Sequence, residues 1–242
     1  MILNMRFRID LKVFVFLILL YLSNQIEIYV LIMCFAIIHE LGHLLVGLLL
    51  GFKPNRIEIN PFGLSISFKF NLKDYNKKIK KANLIEEKKI LVAMAGPIIN
   101  LLIIFIINRL NINIYEKNMI IYSNLLLFLF NSLPILPLDG GRILKGILHI
   151  NFGRNKAERY TCNISFAFLL ILTAISSISI LYLKNIAIFF GIIFLWILYL
   201  KEEKFYQNRR KLYRLIQKEC RKEFTKEELN IKYSETIENK IN

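Results

Sequence analysis

Two histidines and a glutamate stand close together in an otherwise apolar stretch between Ile26 and Leu50. His39 and His43 are four residues apart, so on a helix both imidazoles project from the same face. That spacing allows two ring nitrogens to bind one Zn²⁺ ion. Glu40 is adjacent to the first histidine, where its carboxylate can take a proton from water and pass it to a leaving amine. The pattern predicts a metal-dependent hydrolase with Glu40 as the catalytic base.

A purely structural role for these residues has to be weighed against that interpretation. The motif H-E-x-x-H has only three fixed letters, and a pair of helix histidines in a soluble protein is more often structural than metal-binding. Ionisable side chains within a membrane-spanning helix are costly, however, and usually indicate function. Two of the three histidines in the chain lie in this motif. We therefore favour the functional interpretation.

A third candidate ligand lies in a segment rich in proline and glycine. Asp139 precedes two glycines, and the same segment contains Pro134 and Pro137. Such a sequence predicts non-helical backbone, which is tolerated at membrane depth only when it is buried in protein or lines a wet cavity. Taken alone, Asp139 is more typical of a turn aspartate that caps the glycines. Beside two histidines it is a natural third zinc ligand, with a fourth position open for water. His149 is the weaker rival.

Composition and charge indicate a membrane protein. The chain has 242 residues, of which 55% are hydrophobic, with a mean hydropathy of +0.47 and a net charge of +15. It is too apolar for an ordinary soluble domain, and its positive charges cluster between the apolar runs. Basic loops at a membrane surface explain this pattern better than nucleic-acid binding does. Cys34, Cys162 and Cys220 form no C-x-x-C motif, so we expect free thiols in a reducing compartment.

The apolar runs predict an all-α polytopic membrane protein with about six transmembrane helices. A six-span core would occupy residues 1–200, and residues 201–242 would form a basic cytoplasmic tail with an amphipathic helix. The first span is short and could instead be a signal peptide, although no A-x-A cleavage site follows it. The expected spans are residues 13–23, 26–50, 90–108, 119–138, 164–183 and 186–200.

The distribution of lysine and arginine predicts the orientation of these spans. The loops and termini that would lie together on one side of the bilayer carry 30 of the 33 basic residues. Both termini are therefore predicted to be cytoplasmic. In this topology the second and fourth spans both run inward, so His39 and Asp139 fall toward the same leaflet.

Two stretches between the spans have patterns of their own. Residues 56–59 and 64–70 alternate polar and apolar side chains around a turn sequence, which predicts a small β-hairpin at the cytoplasmic membrane face. The hairpin could accept an extended substrate segment as an added strand, or it could be a small sheet lying on the membrane. Residues 71–89 form a lysine-rich amphipathic stretch, and residues 140–163 are expected to be a second basic loop.

The third span contains Gly96-Pro97, and a proline at this position would kink the helix and free a carbonyl. A neighbouring span must then pack closely against the kink, because lipid offers no hydrogen bonds. A simple packing kink without functional meaning is the alternative.

Three segments together resemble the signatures of the site-2 proteases, the intramembrane zinc metalloproteases of peptidase family M50. They are His39-Glu40-Leu41-Gly42-His43, Ala95-Gly96-Pro97-x-x-Asn100 and the run from Asn131 to Gly141. Their spacing and the six spans resemble the branch of stage IV sporulation protein FB. The resemblance implies one zinc ion bound by His39, His43 and Asp139, with Glu40 as the catalytic base. It also implies that Asn131 and Pro137 help to seat the substrate.

The resemblance further implies regulated intramembrane proteolysis. The expected substrate is a membrane-tethered protein, such as a pro-sigma factor cleaved near the cytoplasmic face during sporulation. The expected location is the cell membrane or the membrane that surrounds a forespore, where inhibitory or regulatory membrane proteins could act as partners. No PDZ-like domain is inserted, which argues against the envelope-stress type. We also expect no CBS domain after the tail, so substrate capture by residues 51–89 or by the tail becomes the alternative to docking through such a domain.

A different class of function uses the same histidines. The chain could be a metal-ion transporter or a catalytically silent membrane scaffold. A glutamate inside the motif and the lack of further intramembrane ligands along a path argue against transport. The undamaged motif argues against a silent scaffold.

Overall fold

The computed structural model of the protein describes residues 6–9, 26–60, 63–69, 79–111, 113–183 and 186–241. Six helices and three strands lie within these residues. In chain order they are β1 (Arg6–Ile9), α1 (Ile26–Leu49), β2 (Lys53–Asn60), β3 (Gly63–Lys69), α2 (Ile79–Arg109), α3 (Ile114–Ser132), α4 (Asp139–Phe152), α5 (Arg154–Leu183) and α6 (Ile186–Ile241).

Three helices are long and apolar enough to cross a membrane. The qualifying segments are Val30–Leu49 in α1, Asn83–Arg109 in α2 and Arg154–Ser177 in α5. They correspond to the second, third and fifth predicted spans, so the prediction of a helical membrane protein is confirmed in part. Helix α3 and the start of α6 cover the fourth and sixth, but within the described residues neither meets the same criteria. The predicted first span, residues 13–23, lies outside the described residues.

Large apolar side chains of α2 are exposed, whereas a polar side chain of the same helix is buried. Leu102 and Phe105 are 53% and 61% exposed, whereas Asn100 is completely buried. Large exposed apolar surfaces are unfavourable in water but are the rule in lipid, where polar groups must instead find partners inside the protein. This distribution supports a membrane environment for the bundle.

The predicted hairpin is confirmed. Strands β2 and β3 pair antiparallel, with Ile57 opposite Ile66 and Asn60 opposite Gly63 at the turn. Strand β1 adds a parallel partner on the other side of β2, giving the order β1-β2-β3. Strand β1 was not predicted, because a parallel partner far along the chain leaves no local signal.

The hairpin is fixed against α1 by an aromatic ring. The ring of Phe68 in β3 lies where a Cβ on Gly47 would be, and it also packs against Phe52 with ring centroids 6.1 Å apart. Gly47 is one helical turn beyond His43, so this contact places the sheet beside the part of α1 that carries the histidines.

The prediction that residues 140–163 form a basic loop was wrong. Helix α4 runs to Phe152 and α5 begins at Arg154, so only Gly153 separates them. Apolar side chains at Ile143, Ile147 and Ile150 recur at the three- to four-residue spacing of an amphipathic helix, and the basic residues between them obscured this pattern. Gly153 has a φ of 76°, a conformation that favours glycine, and it ends the helix.

The backbone after α3 is irregular and buried, as the prolines predicted. Residues 133–138 connect α3 to α4, and within them Ile135 is completely buried. The connecting segment contributes to the main apolar cluster of the described residues, which consists of Ile135, Leu138, Leu169, Leu195 and Tyr199.

The hydroxyl of one serine makes two hydrogen bonds to the backbone of this segment. The N–H of Leu136 donates to Ser165 Oγ at 3.1 Å, and the Ser165 hydroxyl donates to the carbonyl of Pro134 at 3.2 Å. Since Ser165 belongs to α5, the irregular segment is held by protein rather than by solvent, which is the condition for such backbone at membrane depth.

Helix α6 passes through residue 200, the predicted end of the core, without a break. Its Tyr199 hydroxyl donates to the carbonyl of Cys162 at 3.4 Å, and Arg209 donates to Glu158, so α6 lies alongside α5. The predicted tail helix is therefore a continuation of the last helix of the bundle. Cys34 and Cys162 are free thiols, as predicted.

Candidate metal centre

Helices α1 and α2 approach each other closely because glycines line their contact. A Cβ on Gly96 would collide with the Nε2 atoms of both His39 and His43, and a Cβ on Gly42 would collide with Ile99. The close packing that the sequence analysis expected at Gly96-Pro97 is therefore present, although α2 continues through the proline. The missing side chain of Gly96 leaves the space that the two imidazoles occupy.

Two further glycines position the carboxylate. Asp139 is the first residue of α4, where Gly140 and Gly141 follow it. A Cβ on Gly140 would meet the carbonyls of Ser132 and Leu133, and a Cβ on Gly141 would meet the carbonyl of Ile135. The connecting segment thus packs directly against the first turn of α4 and directs Asp139 toward α1.

Three electron-pair donors converge at the meeting point of α1, α2 and α4. Asp139 Oδ2 lies 3.0 Å from His39 Nε2 and 3.0 Å from His43 Nε2, and the two Nε2 atoms are 3.2 Å apart. The three residues are only 3–4% exposed. Residues that are far apart in sequence therefore form one buried triangle.

The dimensions of this triangle fit a zinc ion. Ligand atoms about 2.0–2.1 Å from a tetrahedral Zn²⁺ are about 3.3 Å from one another. The three observed separations are close to that value, and two imidazole nitrogens with one carboxylate oxygen are a ligand set that zinc accepts while keeping a fourth position for water. The same side chains would otherwise bury several electron pairs facing one another.

The outward-facing nitrogens of both imidazoles also have partners on α2. His43 Nδ1–H donates to the carbonyl of Val92 at 2.7 Å, and His39 Nδ1 lies 3.0 Å from the side-chain amide of Asn100. Asn100 belongs to one of the quoted motifs, but the sequence analysis gave it no role. Its position four residues after Gly96, on the face of α2 that meets the histidines, was the available signal.

The second oxygen of Asp139 contacts Arg142, which the sequence analysis also missed. Arg142 Nη1 lies 3.4 Å from Asp139 Oδ1, one turn further along α4, and its side chain is half exposed. The spacing of three residues on a helix made this pair foreseeable. Because Arg142 contacts Oδ1, Oδ2 is left to face the histidines.

Glu40 lies beside the triangle rather than within it. A carboxylate oxygen of Glu40 and one ring nitrogen of each histidine lie within 4.8 Å of one another, and Glu40 is only partly buried. This is the arrangement expected of a base that acts on a water molecule next to a metal without binding the metal.

The remaining predicted site residues lie near the connecting segment. Asn131 is in the last turn of α3 and its amide donates to the carbonyl of Leu127 at 3.1 Å, while Pro137 is partly buried two residues before Asp139. Their roles in substrate binding stay predictions. His149, the rival ligand, has its Nδ1 atom 3.4 Å from Glu86 instead.

The fold and the site together are those of a helical membrane protein with a buried cluster of two histidines and one carboxylate that could hold a metal ion. Comparison with known proteins identifies the class further. The sequence profile of peptidase family M50 matches residues 112–172, a region that contains Asn131, Pro137 and Asp139.

Two relatives support the same assignment, and one solved structure shares the fold. A zinc metalloprotease of Methanocaldococcus jannaschii is 30% identical over 68% of this chain and 48% of its own length. Stage IV sporulation protein FB of Bacillus subtilis is 25% identical over 62% of this chain and 50% of its own length. The structure of a site-2 protease from Methanocaldococcus jannaschii superimposes with a TM-score of 0.61, at 24% identity, over 83% of this chain and 91% of that chain.

The chain belongs to the site-2 protease family, peptidase family M50. This confirms the resemblance read from the three motifs. Membership in a family of zinc metalloproteases implies zinc as the metal, in agreement with the ligand spacing. The chain spans about half the length of the curated relatives that it matches.

Proposed function

We propose that the protein is an intramembrane zinc metalloendopeptidase that cleaves a membrane-tethered protein. The observation that carries this proposal is the convergence of His39, His43 and Asp139 with Glu40 beside them. Helix α1, which carries three of these four residues, is long and apolar enough to cross a membrane. Such a cluster within a spanning helix is expensive unless it has a function.

Each residue has a distinct task in this proposal. His39, His43 and Asp139 would hold the zinc ion, and Arg142 keeps the carboxylate of Asp139 turned toward the histidines. A zinc ion held there would supply Lewis-acid chemistry for the hydrolysis of an amide bond. Glu40 takes the proton from the attacking water and delivers it to the leaving amine.

The substrate must be extended where it is cut, because a helical peptide shields its carbonyl carbons. Two parts of the molecule support such a state. The irregular segment 133–138 leads directly into Asp139. We propose that Asn131 and Pro137, at this segment, contact the substrate backbone. The β2–β3 hairpin is held one turn from His43 by the contact between Phe68 and Gly47.

The similarity to stage IV sporulation protein FB supports a narrower proposal for substrate and location. The substrate would be a membrane-tethered pro-sigma factor, cut in the cell membrane or in the membrane around a forespore. The charge distribution supports six spans with both termini in the cytoplasm, which places the metal centre toward the cytoplasmic leaflet. Regulatory membrane proteins would then control access to the centre.

Co-expression with a membrane-tethered pro-sigma factor tests this proposal. We expect the wild-type chain to produce the shortened factor on a blot, and Glu40→Gln to produce none, because the amide cannot accept the proton from water. Glu116→Gln is the matched control, since Glu116 is an exposed glutamate in the first turn of α3. It should cleave as the wild type does.

The zinc content of the purified variants makes the result specific. Glu40→Gln should keep about one zinc ion per chain, because Glu40 is not a proposed ligand. Cleavage by Glu40→Gln would refute its role as the base. Zinc bound in both proteins without cleavage by either would refute this substrate and favour the scaffold alternative.

A further inference from the structure

We propose that Asn100 is a positioning residue for His39. Its side-chain oxygen accepts a hydrogen bond from His39 Nδ1–H and thereby holds the imidazole in the tautomer whose Nε2 electron pair is free for the metal. This inference rests on the proposed zinc site, but it concerns how the protein prepares a ligand rather than which residues are ligands.

Two observations about the amide of Asn100 lead to this inference. Asn100 is completely buried in α2, and its Nδ2 atom is assigned 3.0 Å from His39 Nδ1. Its Oδ1 atom is buried and has no hydrogen-bond partner among the described residues. In the assigned orientation the acceptor atom of the amide is therefore unused, whereas the exchanged orientation directs it at His39 Nδ1.

The chemistry of metal binding decides between the two amide orientations. When Nε2 of a neutral histidine binds a cation, the ring proton must be on Nδ1, which then requires an acceptor. An amide nitrogen has two donor hydrogens and cannot accept. The oxygen and nitrogen of an asparagine amide are assigned from the hydrogen-bond network rather than observed directly. Exchanging them gives the Nδ1 proton of His39 its acceptor.

The second histidine provides an internal reference for this arrangement. His43 Nδ1–H already donates to the carbonyl of Val92, an acceptor that has no alternative orientation. Val92, Gly96 and Asn100 follow one another at intervals of four residues, so they share one face of α2. The gap at Gly96 admits both imidazoles, and one acceptor lies on either side of it. Each histidine therefore has its own oxygen on the same helix.

The test compares three variants of the full-length protein in detergent. Asn100→Leu removes the acceptor at similar volume, and Asn100→Asp keeps an acceptor oxygen while losing the donor. Asn124→Leu is the matched control, because Asn124 is also a completely buried asparagine, and its amide donates to the carbonyl of Ile120 in its own helix. Zinc affinity is measured by competition with a chromophoric chelator, and Co²⁺ substitution gives a visible spectrum that reports ligand geometry.

We expect Asn100→Leu to bind zinc about 10- to 100-fold more weakly than wild type, the usual effect of losing a partner behind a metal ligand. Its Co²⁺ bands should also shift. Asn100→Asp should bind within a few-fold of wild type and keep the wild-type spectrum. Asn124→Leu should be unchanged in both measurements. Asn100→Ala takes the place of Asn100→Leu if the leucine variant does not fold.

Three results would overturn the inference. Wild-type affinity in Asn100→Leu would show that His39 needs no acceptor from this residue. A loss in Asn100→Asp as large as that in Asn100→Leu would mean that the amide acts as a donor. An equal loss of zinc affinity in Asn124→Leu would mean that the effect comes from disturbed packing rather than from the contact with His39. Because these measurements need no substrate, a wild-type chain that binds zinc but cleaves nothing would refute the proposed function and leave this test intact.

Discussion

Two buried carboxylates in this protein have partners of different kinds. Asp139 and Glu158 are each only 4% exposed. Asp139 Oδ2 faces the two imidazole Nε2 atoms of the metal centre. Glu158 Oε1 accepts a hydrogen bond from Arg209 and has further cationic groups at 3.6 Å, which belong to Lys145 and Arg154.

The partners of each carboxylate show what it does. Glu158 is surrounded by side chains that are always or nearly always cationic, and these come from α4, α5 and α6. The protein itself supplies the positive charge, so the cluster joins three helices and needs nothing more. The Oδ2 atom of Asp139 is opposed by ring nitrogens that offer electron pairs when neutral. A bound metal cation would supply the positive charge that neutral imidazoles lack. The two carboxylates are therefore equally buried for different reasons. Glu158 forms an ion-pair cluster with Lys145, Arg154 and Arg209, whereas Asp139 belongs to the candidate metal centre.

Of the changes that distinguish the surroundings of Asp139 from those of Glu158, Asp139→Asn is expected to have the largest effect on zinc binding. The amide keeps the shape of the side chain but removes the negative charge from the proposed ligand set, so zinc affinity should fall by at least about 100-fold and cleavage should be lost. Zinc competition and the cleavage blot measure this change. Unchanged metal binding would mean that another residue is the third ligand.

A smaller effect on the same centre is expected from Gly96→Ala, which sharpens the comparison by moving the imidazoles while both carboxylates stay in place. The added methyl group must displace the rings of His39 and His43, so we expect zinc affinity to fall by about 10-fold or more. Gly191→Ala in α6 is the control, since nothing lies within 4 Å of a Cβ at that position. Equal zinc affinity in the two alanine variants would contradict the close contact between Gly96 and the imidazoles of His39 and His43.

The smallest effect on the metal centre, essentially none, is expected from Glu158→Gln. Removing this charge leaves the partly buried guanidinium of Arg209 without its counterion, so the free energy of unfolding should fall by about 2 kcal/mol. Thermal unfolding with and without zinc measures that change, while zinc affinity should stay at the wild-type value. If Glu158→Gln lost zinc as Asp139→Asn is expected to, the ion-pair cluster of Glu158 and the candidate metal centre would not be independent.

The convergence of the proposed ligands was largely predictable because these residues are chemically conspicuous. His39, Glu40 and His43 stand out in an apolar helix, and Asp139 was joined to them by the expectation that two spans run in the same direction. The hairpin was also predictable, since period-two alternation around a turn is a local pattern.

Features that depend on contacts between distant segments were not predictable. The roles of Ser165 and Asn100 follow from which helix faces which, and no local pattern carries that information. Strand β1 depends on a parallel partner far along the chain. Helix α4 was missed for a different reason, because its basic residues outweighed the apolar spacing in the sequence analysis.

The length of α6 has a mechanical consequence. At 1.5 Å per residue, its 56 residues extend about 84 Å, more than twice the roughly 30 Å of a hydrocarbon core. A hydrocarbon core crossed by the start of α6 would leave roughly 50 Å of the helix outside it. The far end near Ile241 is joined to the bundle by a continuous helix rather than by a flexible chain. A group attached at that end would therefore keep a set distance from the candidate metal centre.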